Sequence, residues 1–336
     1  MIQLKNITKT FRVVKREKGA AAALLSLFRR EYREIRALDS ISFSVGKGEI
    51  AGFIGPNGAG KSTAIKIMSG ILVPDSGECT VLGMCPWKSR QKYVGHIGVV
   101  FGQRTQLWWD VPVRDSLELL KDIYRVQEKR FDENLGELSE ILDLGDLLSV
   151  PLRQLSLGQR MRCELAASLI HDPEVLFLDE PTIGLDALSK LAVRRIIADL
   201  NRERNLTVIL SSHDMDDIEA LTNRILLIGK GRLLYDGALG ALRSRYDRLR
   251  RLEVQYAGPR TPPDAFAPLF APLPQPEGTR VISQQDNHAV YEVDTGVIGV
   301  SSVLRLLGEK LDIRDMSAGS RPIEEIIASL YREGNL

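Results

Sequence analysis

The sequence predicts an α/β fold around a mostly parallel sheet, because short apolar runs alternate with helix-compatible stretches. Residues 1–12 and 38–54 predict the first strands, and the nearly continuous apolar run at 50–54 is typical of a strand buried on both faces. Two later runs with β-branched or aromatic residues, Val175–Leu178 and Thr207–Leu210, each end in polar residues. Strands that alternate with helices in this way indicate crossover connections.

Length and composition favour a globular protein of two domains. The chain has 336 residues, more than the ~100–200 typical of one domain. Hydrophobic residues make up 44% and charged residues 26%, which excludes a largely disordered or collagen-like chain. The net charge of +1 provides no general basic field, so we expect no nucleic acid partner. The apolar run Ala20–Phe28 is too short to cross a bilayer, which takes ~20 residues.

The segment 13–36 differs from the strands around it, because it carries seven Lys and Arg residues against three Glu. From Ala20 onward its apolar residues fall on one helical face, which predicts a basic amphipathic helix inserted between two strands. The apolar face can pack on the rest of the domain, and the basic face can lie at anionic lipid headgroups or against a membrane protein. The residues of the apolar face are Leu24, Phe28, Tyr32 and Ile35.

A helical region and then a change of composition follow these strands. Residues 114–148 carry apolar side chains at helical spacing and lie within an expected helical subdomain at about 104–172. The composition shifts near Gly237, so we expect one domain at residues 1–236 and a small α+β accessory domain at residues 237–336.

The accessory domain is predicted from four segments. The proline-rich residues 258–278 predict a loop, and residues 281–296 predict a hairpin. Two helices are predicted at 300–311 and 323–331. The basic run at 243–251 is interpreted as the solvated face of a helix rather than as a nucleic-acid site.

Residues 55–62 read Gly-Pro-Asn-Gly-Ala-Gly-Lys-Ser and fit the pattern G-x-x-x-x-G-K-[ST] directly after the buried run. The glycines allow successive backbone N–H groups to close around a phosphate, and a helix over Thr63–Ser69 would add its N-terminal dipole. Lys61 would reach the β- and γ-phosphates of a nucleotide, and the Ser62 hydroxyl would bind Mg²⁺. A glycine-rich turn without a ligand is the alternative, which the strand–loop–helix context disfavours.

Asp179 and Glu180 end the apolar run that begins at Val175. Ligands bind at the carboxyl ends of strands in open α/β sheets, so we expect both carboxylates beside the phosphate loop. Asp179 would face the Mg²⁺ through a water molecule, and Glu180 would orient the water that attacks the γ-phosphate. A solvated turn that happens to begin with two acidic residues is the alternative, which the phosphate loop in the same chain disfavours.

Residues 155–159, Leu-Ser-Leu-Gly-Gln, precede a helix-like stretch and lie between the phosphate loop and the Asp-Glu pair. They resemble the signature of ATP-binding cassette (ABC) proteins, whose commonest form is LSGGQ. The resemblance covers residues 1 to 236. The basic insert at 13–36 and the C-terminal tail make the chain most similar to the ATP-binding subunits of bacterial ABC-2-type exporters. Further matches in order are the adenine-stacking aromatic Phe11, the Q-loop Gln103, the D-loop Gly184-Leu185-Asp186 and the switch His213.

The resemblance implies a P-loop NTPase core of the ABC ATPase type with a helical lid, and it implies ATP and Mg²⁺ as ligands. The implied catalytic residues are Glu180, His213, Lys61 and Gln103. The implied metal ligands are Ser62, Gln103 and, through water, Asp179. The implied ATP-contacting residues are Phe11, Gly55, Pro56, Asn57, Gly58, Ala59, Gly60, Lys61, Ser62, Thr63, Ser156, Gly158, Gln159 and Asp186.

The resemblance also implies how such a chain works. Two chains, either two copies or one copy and a related cassette, would pair head to tail around two ATP molecules. Hydrolysis would then power transport, in the export direction, through a separate multi-spanning membrane permease. The implied location is peripheral, at the cytoplasmic face of the inner membrane.

Two other functions are alternatives to a role in transport. A soluble ABC ATPase acting on ribosomes or DNA would usually carry two cassettes or long coiled coils, and this sequence has one cassette and no sustained heptads. A non-hydrolytic regulatory protein would tolerate a decayed site, whereas every catalytic position is intact here.

Two features of the lid leave alternatives open. Leu157 stands where the family usually has glycine, and the more critical Gly158 is kept, so we expect activity to survive. Trp108 and Trp109 follow the Q-loop and can either pack within the lid or face the membrane subunit.

Overall fold

A computed structural model describes most of the chain, which divides into two compact units. One unit runs from Met1 to Leu239, and the second begins at Gly240. The predicted domain boundary near Gly237 lies close to this division. The described residues are 1–14, 32–102, 104–246, 248–259, 273–285, 287–320 and 323–333.

The first unit contains nine strands and seven α-helices among its described residues. The strands are β1 (Ile2–Val14), β2 (Tyr32–Val45), β3 (Ile50–Ile54), β4 (Ser76–Val81), β5 (Ile97–Phe101), β6 (Val175–Asp179), β7 (Thr207–Ser212), β8 (Arg224–Gly229) and β9 (Arg232–Ala238). The helices are α1 (Lys61–Met68), α2 (Arg90–Tyr93), α3 (Val113–Tyr124), α4 (Glu128–Leu142), α5 (Leu157–Leu169), α6 (Ala187–Arg204) and α7 (Met215–Leu221). Short 3₁₀ turns lie at Val94–His96, Gly145–Leu147 and Leu152–Gln154.

The central sheet has six strands in the order β5-β6-β7-β3-β8-β9. The first five are parallel and β9 is antiparallel, which confirms the predicted α/β class and its mostly parallel sheet. The register aligns the carboxyl ends of neighbouring strands, because Asp179 lies opposite both Phe101 and Ser211 and Ile54 lies opposite Ser212. Polar residues that follow these strands therefore meet at one edge of the sheet.

A second sheet, in the order β2-β1-β4, is antiparallel and shares a core with the first. The Phe43 ring on β2 lies 5.6 Å, centroid to centroid, from the Phe53 ring on β3. Helix α1 contributes Ile65 and Ile67 to the same buried cluster. Strand β3 is therefore packed against both β2 and α1, which gives the loop that follows it a rigid base.

The predicted basic helix is partly contradicted by the structure. Residues 13–14 end β1 and residues 32–36 begin β2, and the two strands pair so that Val14 lies opposite Tyr32. The side chains of Tyr32 and Ile35 are 55% and 45% exposed, so they form no buried helical face. Their three-residue spacing suited a helix, but hydrogen bonding between the two strands decides the local structure. The remainder of the predicted helix, with Leu24 and Phe28, lies outside the described residues.

The helical prediction for residues 114–148 is confirmed over most of its length by α3 and α4. The two helices end where Arg125 and Asp143 adopt positive φ angles of 57° and 49°. Left-handed residues of this kind are a common way to terminate a helix. Among the described residues, no helix is both long enough and apolar enough to cross a bilayer.

The second unit combines a four-stranded antiparallel sheet with helices. The sheet has the order β11-β12-β10-β13, and it confirms the predicted hairpin as β11 and β12. The two helices predicted at 300–311 and 323–331 are also confirmed. The bounds are α8 (Leu239–Tyr246), β10 (Leu249–Pro259), β11 (Thr279–Gln285), β12 (His288–Asp294), α9 (Val300–Lys310), β13 (Leu311–Ser320) and α10 (Ile323–Glu333).

The interpretation of residues 243–251 as one helix face is correct for residues 243–246 and wrong for residues 249–251. Helix α8 ends at Tyr246, and the basic run continues into β10 at Leu249. Leu252 and Val254 are buried at alternate positions of that strand, so burial along a strand outweighs the charge pattern. Strand β10 also takes the first two residues, 258 and 259, of the predicted proline-rich loop, and residues 260–272 lie outside the described part.

Replacing Phe53 by alanine should destabilise the first unit by about 3–5 kcal/mol, because the ring fills a fully buried position between two sheets. All three tryptophans, Trp87, Trp108 and Trp109, lie in this unit, so urea denaturation followed by tryptophan fluorescence reports on it. The matched control is Ile123→Ala on the exposed side of α3, which should change the free energy of unfolding by less than about 0.5 kcal/mol. Equal effects of the two substitutions would contradict the described core.

Candidate functional site

The loop between β3 and α1 has a backbone that only glycine permits at two positions. A Cβ atom on Gly60 would lie 2.5 Å from the Ala37 carbonyl oxygen, and the φ angle of Gly60 is +112°. A Cβ atom on Gly55 would collide with the Ile228 carbonyl oxygen. Backbone carbonyl groups of β2 and β8 therefore lie against the outer side of the loop, and the loop curves inward over the start of α1.

Lys61, the first residue of α1, turns its side chain back into this loop. Its Nζ atom donates a hydrogen bond to the Gly55 carbonyl oxygen at 2.5 Å, and only 5% of the residue is exposed. Burial lowers the pKa of the Lys61 ammonium group, while the charges of Glu180 and Asp179 favour its protonated form. The side chain lies beside a cavity of about 140 Å³ lined by residues 56–63, Ala37 and Glu180.

Asp179, at the end of β6, joins the loop to the neighbouring strand. Its Oδ1 atom accepts hydrogen bonds from the Ser62 hydroxyl at 3.1 Å and from the Ser211 hydroxyl at 2.6 Å. Ser211 was not singled out in the sequence, although a hydroxyl at the carboxyl end of a buried strand is a signal that would have indicated it. The side chains of Ser62, Asp179 and Ser211 thus bring together oxygen atoms that can act as metal ligands.

These oxygen donors fit Mg²⁺, which is usually held by one or two carboxylates together with substrate phosphates and water. Ser62 and Asp179 provide the hydroxyl and the carboxylate at hydrogen-bonding distance from each other. Within the described part of the chain, no group of three or more His, Cys, Asp and Glu residues is placed to hold a metal ion by itself. The donor set therefore suits a cation that arrives with a phosphate ligand rather than a permanently bound metal.

Glu180 and His213 lie next to each other at the edge of the sheet. Glu180 adopts a positive φ angle of 56°, and its backbone N–H donates to the Ser211 carbonyl oxygen at 3.0 Å. The His213 Nδ1 atom lies 3.5 Å from Glu180 Oε2, and the imidazole is 55% exposed. The strained turn at Glu180 directs its carboxylate towards the cavity beside Lys61.

The signature residues form a second group, at the start of α5. The Ser156 hydroxyl accepts a hydrogen bond from the Gln159 N–H, and Gln159 Oε1 accepts one from the Ser156 N–H at 2.9 Å. This reciprocal capping box leaves the N-terminal turn of the helix in a defined position. The Gln159 side chain is therefore used within the turn, and none of the signature residues lines the cavity beside Lys61.

Asp186 caps α6 and lies near the signature. It accepts hydrogen bonds from the Ser189 N–H at 2.9 Å and from the Ser189 hydroxyl at 2.8 Å, and these lower the pKa of its carboxyl group. The Ser189 Cβ atom would lie 2.9 Å from a Cβ atom on Gly158. The D-loop and signature residues thus meet on one surface, at a different place from the phosphate loop.

Two expected site residues are not placed in either group. Phe11 lies on β1 opposite Ile35, with the Lys9 Nζ atom 5.8 Å from its ring centroid, and it does not line the cavity beside Lys61. Gln103 lies outside the described residues. The adenine-stacking role of Phe11 and the metal-binding and catalytic roles of Gln103 therefore stay predictions from the sequence.

A larger cavity of about 420 Å³ lies between β5 and α5. The Arg160 guanidinium stacks over the Trp109 ring at 4.4 Å, and both residues line this cavity. Leu157 lines it as well, and a Cβ atom on Gly184 of the D-loop would lie 3.2 Å from one of its methyl groups. Leucine at position 157 therefore brings apolar side-chain volume close to the D-loop, which a glycine would not.

Replacing Gly60 by alanine should destabilise the first unit more than replacing Gly58, although both glycines have positive φ angles. Gly58→Ala should cost about 1–2 kcal/mol for its left-handed backbone alone, because no atom lies within 4 Å of the added Cβ. Gly60→Ala should cost about 1–3 kcal/mol beyond that, because the added carbon collides with the Ala37 carbonyl oxygen and the Leu38 side chain. Urea denaturation with tryptophan fluorescence measures both variants. Equal stability of the two variants would contradict the close contact between Gly60 and strand β2.

Comparisons with known proteins show what the chain is similar to. The family model described as ABC transporter matches residues 38–183. The chain is 36% identical over 218 residues to the probable multidrug ABC transporter ATP-binding protein YbhF of Escherichia coli, covering 64% of this chain and 37% of YbhF. The chain thus spans little more than a third of the length of that relative.

A second relative matches nearly from end to end. The chain is 31% identical over 301 residues to the daunorubicin/doxorubicin resistance ATP-binding protein DrrA of Streptomyces peucetius, covering 89% of each chain. Among solved structures, the dimeric post-hydrolysis state of the ATP-binding cassette MJ0796 bound to ADP and Pi is 25% identical, with a TM-score of 0.59 and coverage of 71% of this chain and 99% of that one. The chain belongs to the family of ABC transporter ATP-binding proteins.

Proposed function

We propose that this chain binds and hydrolyses ATP, and that it uses the reaction to power a separate membrane permease. The observation that carries the proposal is the convergence of Lys61, Ser62, Asp179, Glu180 and His213 at the carboxyl end of one parallel sheet. A glycine-rich loop with a buried lysine suits the phosphates of a nucleotide. Two carboxylates and an imidazole beside that loop suit phosphoryl transfer to water.

In the proposed reaction, the oxygen of a water molecule forms a bond to the γ-phosphorus while the bond from that phosphorus to the bridging oxygen of ADP breaks. Glu180 accepts a hydrogen bond from the water, orients its lone pair towards the phosphorus and takes its proton as the new bond forms, and the proton passes to solvent when phosphate leaves. His213 donates a ring N–H to a γ-phosphate oxygen, and the Lys61 ammonium group contacts the β- and γ-phosphates. Mg²⁺ held by Ser62 and, through water, by Asp179 would neutralise charge on the transferred group.

We further propose that two chains close around two ATP molecules. The capped turn at Ser156 presents backbone N–H groups at a helix N-terminus, which is a suitable surface for a second chain's γ-phosphate. The similar cassette MJ0796 has been solved as a dimer, which supports this arrangement by analogy. The second chain is either another copy of this one or a related cassette.

The transport role rests on the relatives. DrrA is named for resistance to daunorubicin and doxorubicin, and YbhF is named as part of a probable multidrug transporter. By this analogy the chain works in export with a multi-spanning permease and lies peripherally at the cytoplasmic face of the membrane. A soluble ABC ATPase that acts on ribosomes or DNA is the competing function.

Replacing Glu180 by glutamine should slow steady-state ATP hydrolysis by about 10²–10⁴-fold, because the amide cannot accept and orient the water's proton in the same way. Unhydrolysed ATP should then hold two chains together, so that an ATP-dependent dimer persists on gel filtration. Glu140→Gln, on the exposed side of α4, is the matched control and should leave hydrolysis unchanged. Hydrolysis at the rate of the unsubstituted chain would contradict the role of Glu180, and a monomer under saturating ATP would contradict the paired site.

Replacing Gly158 by aspartate should abolish hydrolysis and ATP-dependent dimers while each chain still binds ATP. The added carboxylate would lie at the helix N-terminus proposed to receive phosphate, and like charges repel there. Gly158→Ala separates the steric contribution, because its Cβ atom would crowd the Ser189 Oγ and Cβ atoms without adding a charge. Binding of a fluorescent ATP analogue, gel filtration and phosphate release distinguish the two variants, and unchanged turnover in Gly158→Asp would show that the signature is not used.

A further inference from the structure

We infer that the buried carboxylate of Asp217 positions Glu180 and His213 relative to each other. The inference rests on the proposed function, because it assigns to Asp217 the alignment of the two side chains that act on the γ-phosphate. Asp217 lies in the first turn of α7 and does not line the cavity beside Lys61. It is therefore a positioning residue rather than a catalytic one.

Asp217 is fully buried and accepts two hydroxyl hydrogen bonds on a single oxygen. Its Oδ2 atom accepts from the Thr182 hydroxyl and, at 3.0 Å, from the Ser212 hydroxyl. Thr182 and Ser212 are themselves only 3% and 2% exposed. Water cannot replace these hydrogen bonds without opening the core, so the three side chains hold one arrangement.

The two hydroxyl groups belong to the two segments that carry the catalytic residues. Thr182 follows Glu180 by two residues, within the turn that gives Glu180 its positive φ angle. Ser212 directly precedes His213, and its Oγ atom also accepts the Asp214 N–H at 3.0 Å. A shift of the Asp217 carboxylate would therefore move both segments, whereas the Ser211 contact to the Glu180 N–H fixes only the start of the turn.

Charged groups on α6 complete the cluster. Arg194 Nε donates to Asp217 Oδ1, and Arg194 Nη2 lies 3.7 Å from Asp214 Oδ1. Lys190 forms an ion pair with Asp214 as well. The second Asp217 oxygen is thus held by a cation, which keeps Oδ2 free to accept both hydroxyl groups. Removal of the Asp217 charge would leave Arg194 partly buried without its closest partner, and such a change can prevent folding.

The test therefore changes Thr182 rather than Asp217. Thr182→Val has the same shape and loses the hydroxyl, whereas Thr182→Ser keeps the hydroxyl and loses a methyl group. We expect Thr182→Val to lower kcat for ATP hydrolysis by about 10-fold or more, because small misplacements of catalytic groups cost that much, while KM for ATP changes by less than about 2-fold. Thr182→Ser should recover most of the lost kcat. The exposed neighbour Asp216→Asn is the control for this region and should leave both constants unchanged.

Amide hydrogen exchange provides a readout that does not depend on activity. In Thr182→Val, exchange should accelerate in both segments, residues 180–183 and 211–214, and Thr182→Ser should restore protection. Normal kcat and normal exchange in Thr182→Val would overturn the inference, as would a Thr182→Ser variant as impaired as Thr182→Val. Absence of ATP hydrolysis in the unsubstituted chain would overturn the proposed function instead, and the exchange measurement would still decide whether Asp217 couples the two segments.

Discussion

The parallel hydrogen bonding of β6, β7 and β3 determines where Lys61, Asp179, Glu180 and His213 lie. It aligns Asp179 with Ser211, and Ile54, the last residue before the phosphate loop, with Ser212. Glu180 and His213 each come one residue after these aligned positions. A slip of one residue in any of the three strands would turn alternate side chains to the other face of the sheet and separate the carboxylates from the loop. The apolar burial of these strands, from Val175 to Leu178 and from Thr207 to Leu210, is what prevents that slip.

The charges at this edge bear on how the site would hold a nucleotide. The Lys61 ammonium group is buried beside the carboxylates of Asp179 and Glu180. These three side chains therefore offer one positive charge against two acidic groups. A polyphosphate adds several negative charges, which backbone N–H groups, a helix dipole and Mg²⁺ must compensate. The N-terminus of α5 offers such a dipole on a separate surface. In the proposed pair of chains, that surface comes from the second chain and completes the compensating charges.

Much of the site could be predicted because its motifs are local in sequence. Lys61 and Ser62 follow one buried strand and Glu180 follows another, and the strand-end rule for α/β sheets brings such residues together. Ser211 could have been found by the same rule, because it lies at the carboxyl end of a buried strand. The Asp217 contacts could not be predicted, because they depend on side-chain directions that no short pattern encodes. The helix prediction for segment 13–36 is wrong in part, because Tyr32 and Ile35 fit a helical period but lie on a strand that pairs with β1. Strand β13 was missed, because its residues after Ile313 are exposed and show no apolar alternation.

We propose that this cassette supplies the energy of ATP hydrolysis to a separate membrane protein. Purification of the tagged full chain from native membranes in mild detergent, with mass spectrometry of the proteins that accompany it, tests this proposal. We expect stoichiometric recovery of a multi-spanning membrane protein. Recovery of ribosomal or DNA-repair proteins, with the tagged chain mainly in the soluble fraction, would contradict the transport role and leave the ATPase site standing.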